Sequence, residues 1–359
     1  AAVVDGLEVY GLHNLLEVVR FLNETQTFEP TYVDTAAEFA AHAFTSELDF
    51  SDVRGQENVR RAMEVAAAGG HNMLMVGPPG AGKSMMAKRM PSILPRLTLA
   101  ESLETTQIHS IAGCLASGTS LITRRPFRAP HHTATTVSLS GGGSGFVKPG
   151  EVSLAHNGVL FLDEMPEFGH SVLAVLRQPM EDKHITISRV RYTVDYPSNF
   201  TLVASMNPCP CGYYNHPTKE CSCSAAAVHR YVGRISGPLM DRIDLHVEIT
   251  PVKREELSSS ELSESSAAVR ERVIRARERQ AERFRGTGIY TNTMMSSAML
   301  RTFCPLSPDV RRLLDGAMER LQLSARAYDR IIKVARTIAD LEGKADIEPL
   351  HISEAITYR

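Results

Sequence analysis

The run Gly77-Pro78-Pro79-Gly80-Ala81-Gly82-Lys83-Ser84 satisfies the pattern G-x-x-x-x-G-K-[ST] in full. An apolar stretch, Met73-Leu74-Met75-Val76, precedes it, and the helix-like Met85-Met86-Ala87-Lys88-Arg89-Met90 follows. Such a strand–loop–helix context is what a phosphate-binding loop requires. Its glycines let the backbone turn N–H groups inward around phosphate oxygens, at a helix N-terminus that already favours anions. Lys83 then neutralises phosphate charge and the Ser84 hydroxyl can ligate Mg²⁺, so the expected cofactors are ATP and Mg²⁺. An ordinary Gly/Pro turn would not need Lys-Ser directly after its last glycine.

At 359 residues the chain is long enough for two or three domains. A formal net charge of −2 leaves any polyanion site to be local rather than global. No apolar run approaches the roughly 20 residues that cross a bilayer, and no signal peptide is evident, so no membrane partner is expected and the cytoplasm is the expected location. The chain opens Ala1-Ala2-Val3-Val4 without methionine, which suggests a piece of a longer protein.

Residues 1–23 read as a strand-like Leu7–Tyr10 followed by a helix-like Leu15–Leu22, and residues 24–46 as a polar linker. Together, 1–46 look like the tail of another domain. From Phe50 the pattern changes. A helix-like Asn58–Ala68 leads to the phosphate-loop strand, and strand-like runs recur at Val159–Leu162, Phe200–Ser205 and Leu245–Ile249. Alternating strands and helices predict an α/β domain with a parallel sheet over residues 47–250. A long Gly-, Ser-, Thr- and Arg-rich insertion separates Ile108 from Leu154. Residues 251–293 read as a Ser/Glu-rich linker and a charged helix (Ala267–Arg285). Residues 294–359 read as helices only: Pro308–Leu321, Ala325–Glu342 and Leu350–Tyr358.

About 80 residues after the phosphate loop comes Gly158-Val159-Leu160-Phe161-Leu162-Asp163-Glu164. An apolar strand ending in two carboxylates places the first near the metal and the second near the attacking water. Asp163 is therefore the expected metal ligand and Glu164 the expected catalytic group. The next strand ends in Asn207, a polar tip suited to hold the lytic water or the γ-phosphate. Arg242 stands just before a further strand in Asp241-Arg242-Ile243-Asp244. Here the chain resembles the AAA+ superfamily, in which an arginine so placed reaches the neighbouring subunit's γ-phosphate and makes hydrolysis depend on assembly. A surface salt bridge with Asp241 or Asp244 is the competing reading of Arg242. Ser324-Ala325-Arg326-Ala327-Tyr328 resembles the sensor 2 region of the same superfamily; a solvated arginine at a helix start is its alternative.

Two C-x-C pairs, Cys209/Cys211 and Cys221/Cys223, lie nine residues apart. Four thiolates in one short loop can close a tetrahedral Zn²⁺ site, and the expected metal loop spans 207–224. Four reduced thiols, or two adventitious disulfides, would be the alternatives. His216 is a spare ligand that four cysteines make unnecessary. Cys114 and Cys304 read as packing residues.

Two segments can present cations to a nucleic-acid backbone without reading its sequence. One is the insertion, with Arg124, Arg125, Arg128 and, after a glycine-rich stretch, Lys148. The other is a β-branched hairpin carrying Lys183, Arg189 and Arg191. Their alternatives are a solvated loop and an ordinary hairpin.

In combination, Ala66-Ala67-Ala68-Gly69-Gly70-His71-Asn72, Arg128-Ala129-Pro130-His131-His132, Asn207-Pro208-Cys209-Pro210-Cys211-Gly212, Asp241–Leu245 and Tyr328-Asp329-Arg330-Ile331 resemble the ComM/YifB family of magnesium chelatase-like AAA+ ATPases across the whole chain. The resemblance implies an α/β P-loop NTPase core with a parallel central sheet and a C-terminal helical lid, behind the remnant of a Lon-like N-terminal domain. It implies a homo-hexameric ring that drives branch migration of recombination intermediates in natural transformation, with branched or single-stranded DNA as partner. The insertion would belong to helix 2 and the basic hairpin to the pre-sensor 1 position. Arg326, on a displaced lid, would act on a neighbour's nucleotide. A chelatase-type ATPase subunit that remodels a protein partner is the competing function. No Ser-Lys dyad supports proteolysis.

Overall fold

The computed structural model describes residues 7–34, 39, 48–116, 118–143, 146–188, 193–252 and 263–359. In chain order the first elements are α1 (Leu15–Leu22), α2 (Glu57–Gly69), β1 (Met73–Val76), α3 (Lys83–Ile93) and α4 (Leu99–Ala112). The insertion then holds β2 (Phe127–Arg128), α5 (Thr136–Ser140), β3 (Gly141–Gly142), β4 (Lys148–Pro149) and α6 (Glu151–Leu154). Next come β5 (Val159–Leu162), α7 (His170–Val175), α8 (Arg177–Asp182), β6 (His184–Ser188), β7 (Thr193–Pro197) and β8 (Thr201–Met206). They are followed by α9 (Ala225–Val232), α10 (Gly237–Met240), β9 (Leu245–Glu248) and α11 (Ser266–Arg283). Helices α12 (Ser297–Phe303), α13 (Pro308–Leu321), α14 (Ala325–Glu342) and α15 (Pro349–Thr357) complete the chain.

The chain divides into two compact units, residues 1–45 with 96–124 and residues 46–95 with 125–359. In the first, Asn14 caps α1 by accepting from the Glu17 N–H, and Tyr10 and Phe28 pack on Phe21 at ring-centroid distances of 4.7 and 6.1 Å. Leu7–Tyr10, read from sequence as strand-like, is irregular backbone. Alternation over four residues is too short a signal to specify a strand by itself.

The second unit is built on a five-stranded sheet in the order β2-β5-β8-β1-β9, parallel throughout. Met73 aligns with Val203 on one side and Leu245 on the other, and Val159 aligns with Thr201. All six residues of β8 are buried, as expected for a parallel strand covered on both faces. Alternate side chains feed two cores. Met73, Met75, Val159, Phe161 and Val203 join the cluster under α2, α3, α11 and α14, whereas Leu74, Leu160, Leu162, Leu202 and Ala204 join the one under α7 and α8. Helix α14 packs on α15, α11 and α2, so the C-terminal helices share the first of these cores with the sheet. A parallel sheet of this kind collects its loops at the carboxyl ends of the strands, where ligands bind in open α/β folds.

Candidate nucleotide and nucleic-acid sites

The phosphate loop leaves β1 at Gly77, whose N–H donates to Met206 O of the adjacent strand at 3.2 Å. Gly82 has φ +90°, a left-handed backbone that turns the chain into α3 and that side-chain-bearing residues rarely adopt. Lys83, buried at the start of α3, spreads its ammonium over Gly77 O (2.5 Å), Pro78 O (2.9 Å) and Asn207 Oδ1 (3.0 Å). Desolvation lowers its pKa, against the opposing pull of Asp163 and Glu164. Ser84 Oγ donates to Asp163 Oδ2 at 2.6 Å, and Ser205 Oγ to the other carboxylate oxygen. The ends of β1, β5 and β8 thus bring together Lys83, Ser84, Asp163, Glu164 and Asn207, which are the residues read from sequence. A hydroxyl and a carboxylate in direct contact are a hard-oxygen donor pair, which fits Mg²⁺ and does not suit softer metals.

The cysteine loop begins two residues after Asn207. Sγ of Cys209, Cys211, Cys221 and Cys223 all lie within 4.8 Å of one another, and no disulfide forms among them. The separations are 3.3 Å for Cys209–Cys211, 3.7 Å for Cys209–Cys221 and 3.6 Å for Cys211–Cys221. A tetrahedral site with Zn–S of about 2.3 Å needs S···S of about 3.8 Å, so the cluster fits zinc with a small expansion. The Tyr213 backbone N–H, the largest influence, helps draw the Cys211 thiol down to about 6. His216 spends its Nδ1 on the Thr218 and Lys219 amides at 3.2 and 3.1 Å and is not part of the cluster. The loop also touches the nucleotide site: a Cβ on Gly212 (φ +85°) would come within 2.5 Å of Pro79 Cδ in the phosphate loop. Only glycine permits that approach.

Arg242 does make a salt bridge, but not with Asp241 or Asp244. Its Nη2 lies 2.6 Å from Glu181 Oε1 on α8, and Nη1 donates to Pro238 O at 2.6 Å. Asp244 is instead buried with His71 Nδ1 at 3.3 Å and an Arg330 guanidinium ion pair. Burial would raise its pKa, but His71 and Arg330 hold the carboxyl well below the usual carboxylate range. Arg326 is exposed in the first turn of α14, behind the Ser324 cap, and makes no hydrogen bond or ion pair among the described residues.

Several of the cations expected to meet DNA are committed elsewhere. Arg125 donates to Pro95 O at 2.5 Å and Asn157 O at 2.7 Å, and Arg128 grips Glu151 bidentately at 2.6 and 2.7 Å. Both hold the stem of the insertion rather than its tip. Lys183 turns the chain between α8 and β6 with φ +60°, and desolvation lowers its ammonium pKa while Asp244 favours the charge. It is half-buried at the root of the hairpin rather than exposed on one of its faces. Arg124 is exposed in the first compact unit. Arg189 and Arg191 lie outside the described residues. Lys148 is exposed on β4, and beside it Phe146 is 92% exposed.

The insertion and hairpin, read as separate candidates, are joined. Val147, Ile185, Ile187 and Tyr196 form a small buried cluster of their own, and Tyr196 OH donates to Val147 O at 2.7 Å. Sequence reasoning also passed over His132, whose Nδ1 lies 3.7 Å from Glu164 Oε2. The pair His131-His132 was legible as a motif, but nothing local tied it to a strand end about 30 residues later.

No helix of the described residues is long and apolar enough to cross a membrane. Residues 49–257 match the family described as magnesium chelatase, subunit ChlI, and residues 263–359 match its C-terminal counterpart. The chain is 42% identical to competence protein ComM of Haemophilus influenzae over 361 residues, covering 100% of the chain and 69% of that protein. It is 43% identical to the uncharacterized protein YifB of Escherichia coli over 350 residues, covering 96% of the chain and 66% of YifB. An uncharacterized protein of Mycobacterium tuberculosis is 43% identical over 361 residues, covering 100% and 70%.

Proposed function

The chain belongs to the ComM/YifB family of magnesium chelatase-like AAA+ ATPases, and on that premise we propose that it is an ATP-driven DNA motor. In this reading it assembles as a hexameric ring in the cytoplasm and promotes branch migration of recombination intermediates in natural transformation. The competence name of the Haemophilus relative supports the biological setting. The observation that carries the motor reading is the junction of insertion and hairpin through Tyr196 and Val147, with Phe146 and Lys148, the residues on either side of Val147, both exposed. An exposed aromatic ring and an exposed ammonium two residues apart suit a single strand, whose bases stack on rings and whose phosphates meet cations.

Mg-ATP supplies the scissile phosphoanhydride and the bound cation. Ser84 and Asp163 would hold that cation, and Lys83 would turn from its three oxygen partners to phosphate charge. Glu164 orients and deprotonates the attacking water, and Asn207, already within reach of Lys83, steadies the γ-phosphate end. Arg242 serves a neighbouring subunit's site once it leaves Glu181, and Arg326, exposed at the start of α14, acts likewise in trans. The four cysteines would hold Zn²⁺, and their loop meets the phosphate loop where Gly212 approaches Pro79.

The match to the chelatase family over residues 49–257 favours a second reading, an ATPase subunit that remodels a protein partner. A branch-migration assay on a four-stranded junction separates the two. ATP-dependent resolution by the wild type, absent in Glu164→Gln, is expected; ATP turnover without any action on junctions or single strands would favour the protein-remodelling reading.

A further inference from the structure

Arg242 has a fixed main chain and a guanidinium kept inside its own subunit. Its N–H donates to Leu239 O at 3.0 Å, and its carbonyl accepts from Asn72 Nδ2 at 3.1 Å, just before β1. The side chain is only 13% exposed. Nη2 meets Glu181 Oε1 at 2.6 Å, Nη1 donates to Pro238 O at 2.6 Å, and Nε is buried with no hydrogen-bond partner among the described residues. An arginine that is to reach phosphate oxygens on another subunit needs its fork of donors free. Both terminal nitrogens are instead spent at home, and Glu181 supplies the opposite charge.

Glu181 lies on α8, which is tied to the same segment a second time. Arg177, four residues earlier and so on the same face of the helix, donates from Nη2 to Ser236 Oγ at 2.9 Å. Helix α8 therefore clasps the stretch from Ser236 to Arg242 at two points. It then runs through Lys183 directly into β6, and Lys183 O accepts from the Ser198 N–H at 2.8 Å where β7 ends. Strands β6 and β7 pair antiparallel from His184 and Pro197 to Ser188 and Thr193. A displacement of the hairpin is thus carried into the helix that holds Glu181. The Glu181 carboxylate is 54% exposed, so water can take over its charge when the pair opens.

We propose that Glu181 is a positioning residue for ATP hydrolysis: it keeps Arg242 withdrawn in its own subunit, and movement of the β6–β7 hairpin against nucleic acid draws α8 back and frees the guanidinium for a neighbour's phosphates. The inference rests on the trans role given to Arg242 and on the motor reading above. No rearrangement of the main chain at Arg242 is required, since Asn72 and Leu239 hold it while the side chain turns.

The test uses the full chain assembled with ATP, its native mass checked for each variant. Glu181→Gln keeps the shape of the side chain and removes its charge. It is expected to raise ATP turnover without DNA roughly 2- to 5-fold, the shift that one partly exposed ion pair can supply. The ratio by which single-stranded DNA stimulates turnover should fall by the same factor, because the release has already occurred. Glu181→Ala should act in the same direction, whereas loss of a merely structural contact would lower turnover. On an Arg242→Ala background, Glu181→Gln should add no gain, because the two act as a unit. Turnover at or below the wild-type rate in both Glu181 variants, or a gain that persists with Arg242→Ala, would overturn the proposal. A raised basal rate with the stimulation ratio intact would overturn its link to the hairpin. Arg242→Ala at the wild-type rate in an assembled particle would instead remove the trans role of Arg242, and the proposal with it.

Discussion

The nucleotide site gathers Lys83, Asp163 and Asn207 at the ends of three adjacent parallel strands, whereas the insertion and hairpin meet through four buried apolar residues and one tyrosine hydroxyl. The first region sits over two extensive cores, and its strands are buried on both faces. The second stands on a cluster of its own, edged by a largely exposed Phe146. Rigid positioning favours chemistry at the first. A small cluster opens more easily, and segments that move on binding are drawn from such low-stability regions. The difference is one between a rigidly held nucleotide site and a lightly held neighbouring surface.

Glu164→Gln should produce the largest effect, a loss of roughly 10²- to 10⁴-fold in turnover with ATP still bound. Steady-state ATPase beside analogue binding checks it, and undiminished turnover would break the contrast at its strongest point. Next is Asp244→Asn, which leaves His71 and Arg330 facing a neutral amide in the interior. About 3–5 kcal/mol of unfolding free energy should be lost in a denaturant titration. The pH sign follows from the depressed Asp244 pKa. Its contribution is complete above the unfolded value near 4 and drains away as acidification goes below it, so Asp244→Asn should flatten the acid limb of the stability profile.

Cysteine substitution probes the contact between cysteine loop and phosphate loop. Metal analysis should find one zinc per chain, lost in Cys209→Ser together with part of the nucleotide affinity. Metal content and affinity equal to wild type would detach the loop from the site. The smallest effect is expected from Tyr196→Phe, which removes one hydrogen bond worth about 1 kcal/mol. Basal ATPase should hold while stimulation by DNA weakens, measured as the DNA concentration giving half-maximal rate.

Legibility in the sequence follows the same division. The phosphate loop, Asp163-Glu164 and Asn207 each sit in a short motif whose residue order dictates its geometry, so they could be placed without knowing the tertiary fold. Helices α13 and α14 were equally plain, because both have long amphipathic periods and each starts behind a Ser cap, Ser307 and Ser324. What escaped was pairing at a distance. Arg125 and Arg128 look like surface cations until Asn157 and Glu151 are seen beside them. The partner of Arg242 lies about 60 residues away on α8, not among the aspartates flanking it. His132 beside Glu164 and Tyr196 beside Val147 are likewise products of packing, which a linear pattern does not encode.

The most direct test of the motor reading is the ATPase rate of the full chain with and without single-stranded and branched DNA, recorded together with native mass. Hydrolysis strongly stimulated by DNA, in a particle of six chains that forms with ATP, is the expected result. An assembled ring that hydrolyses ATP at the same rate whether or not DNA is present would contradict it.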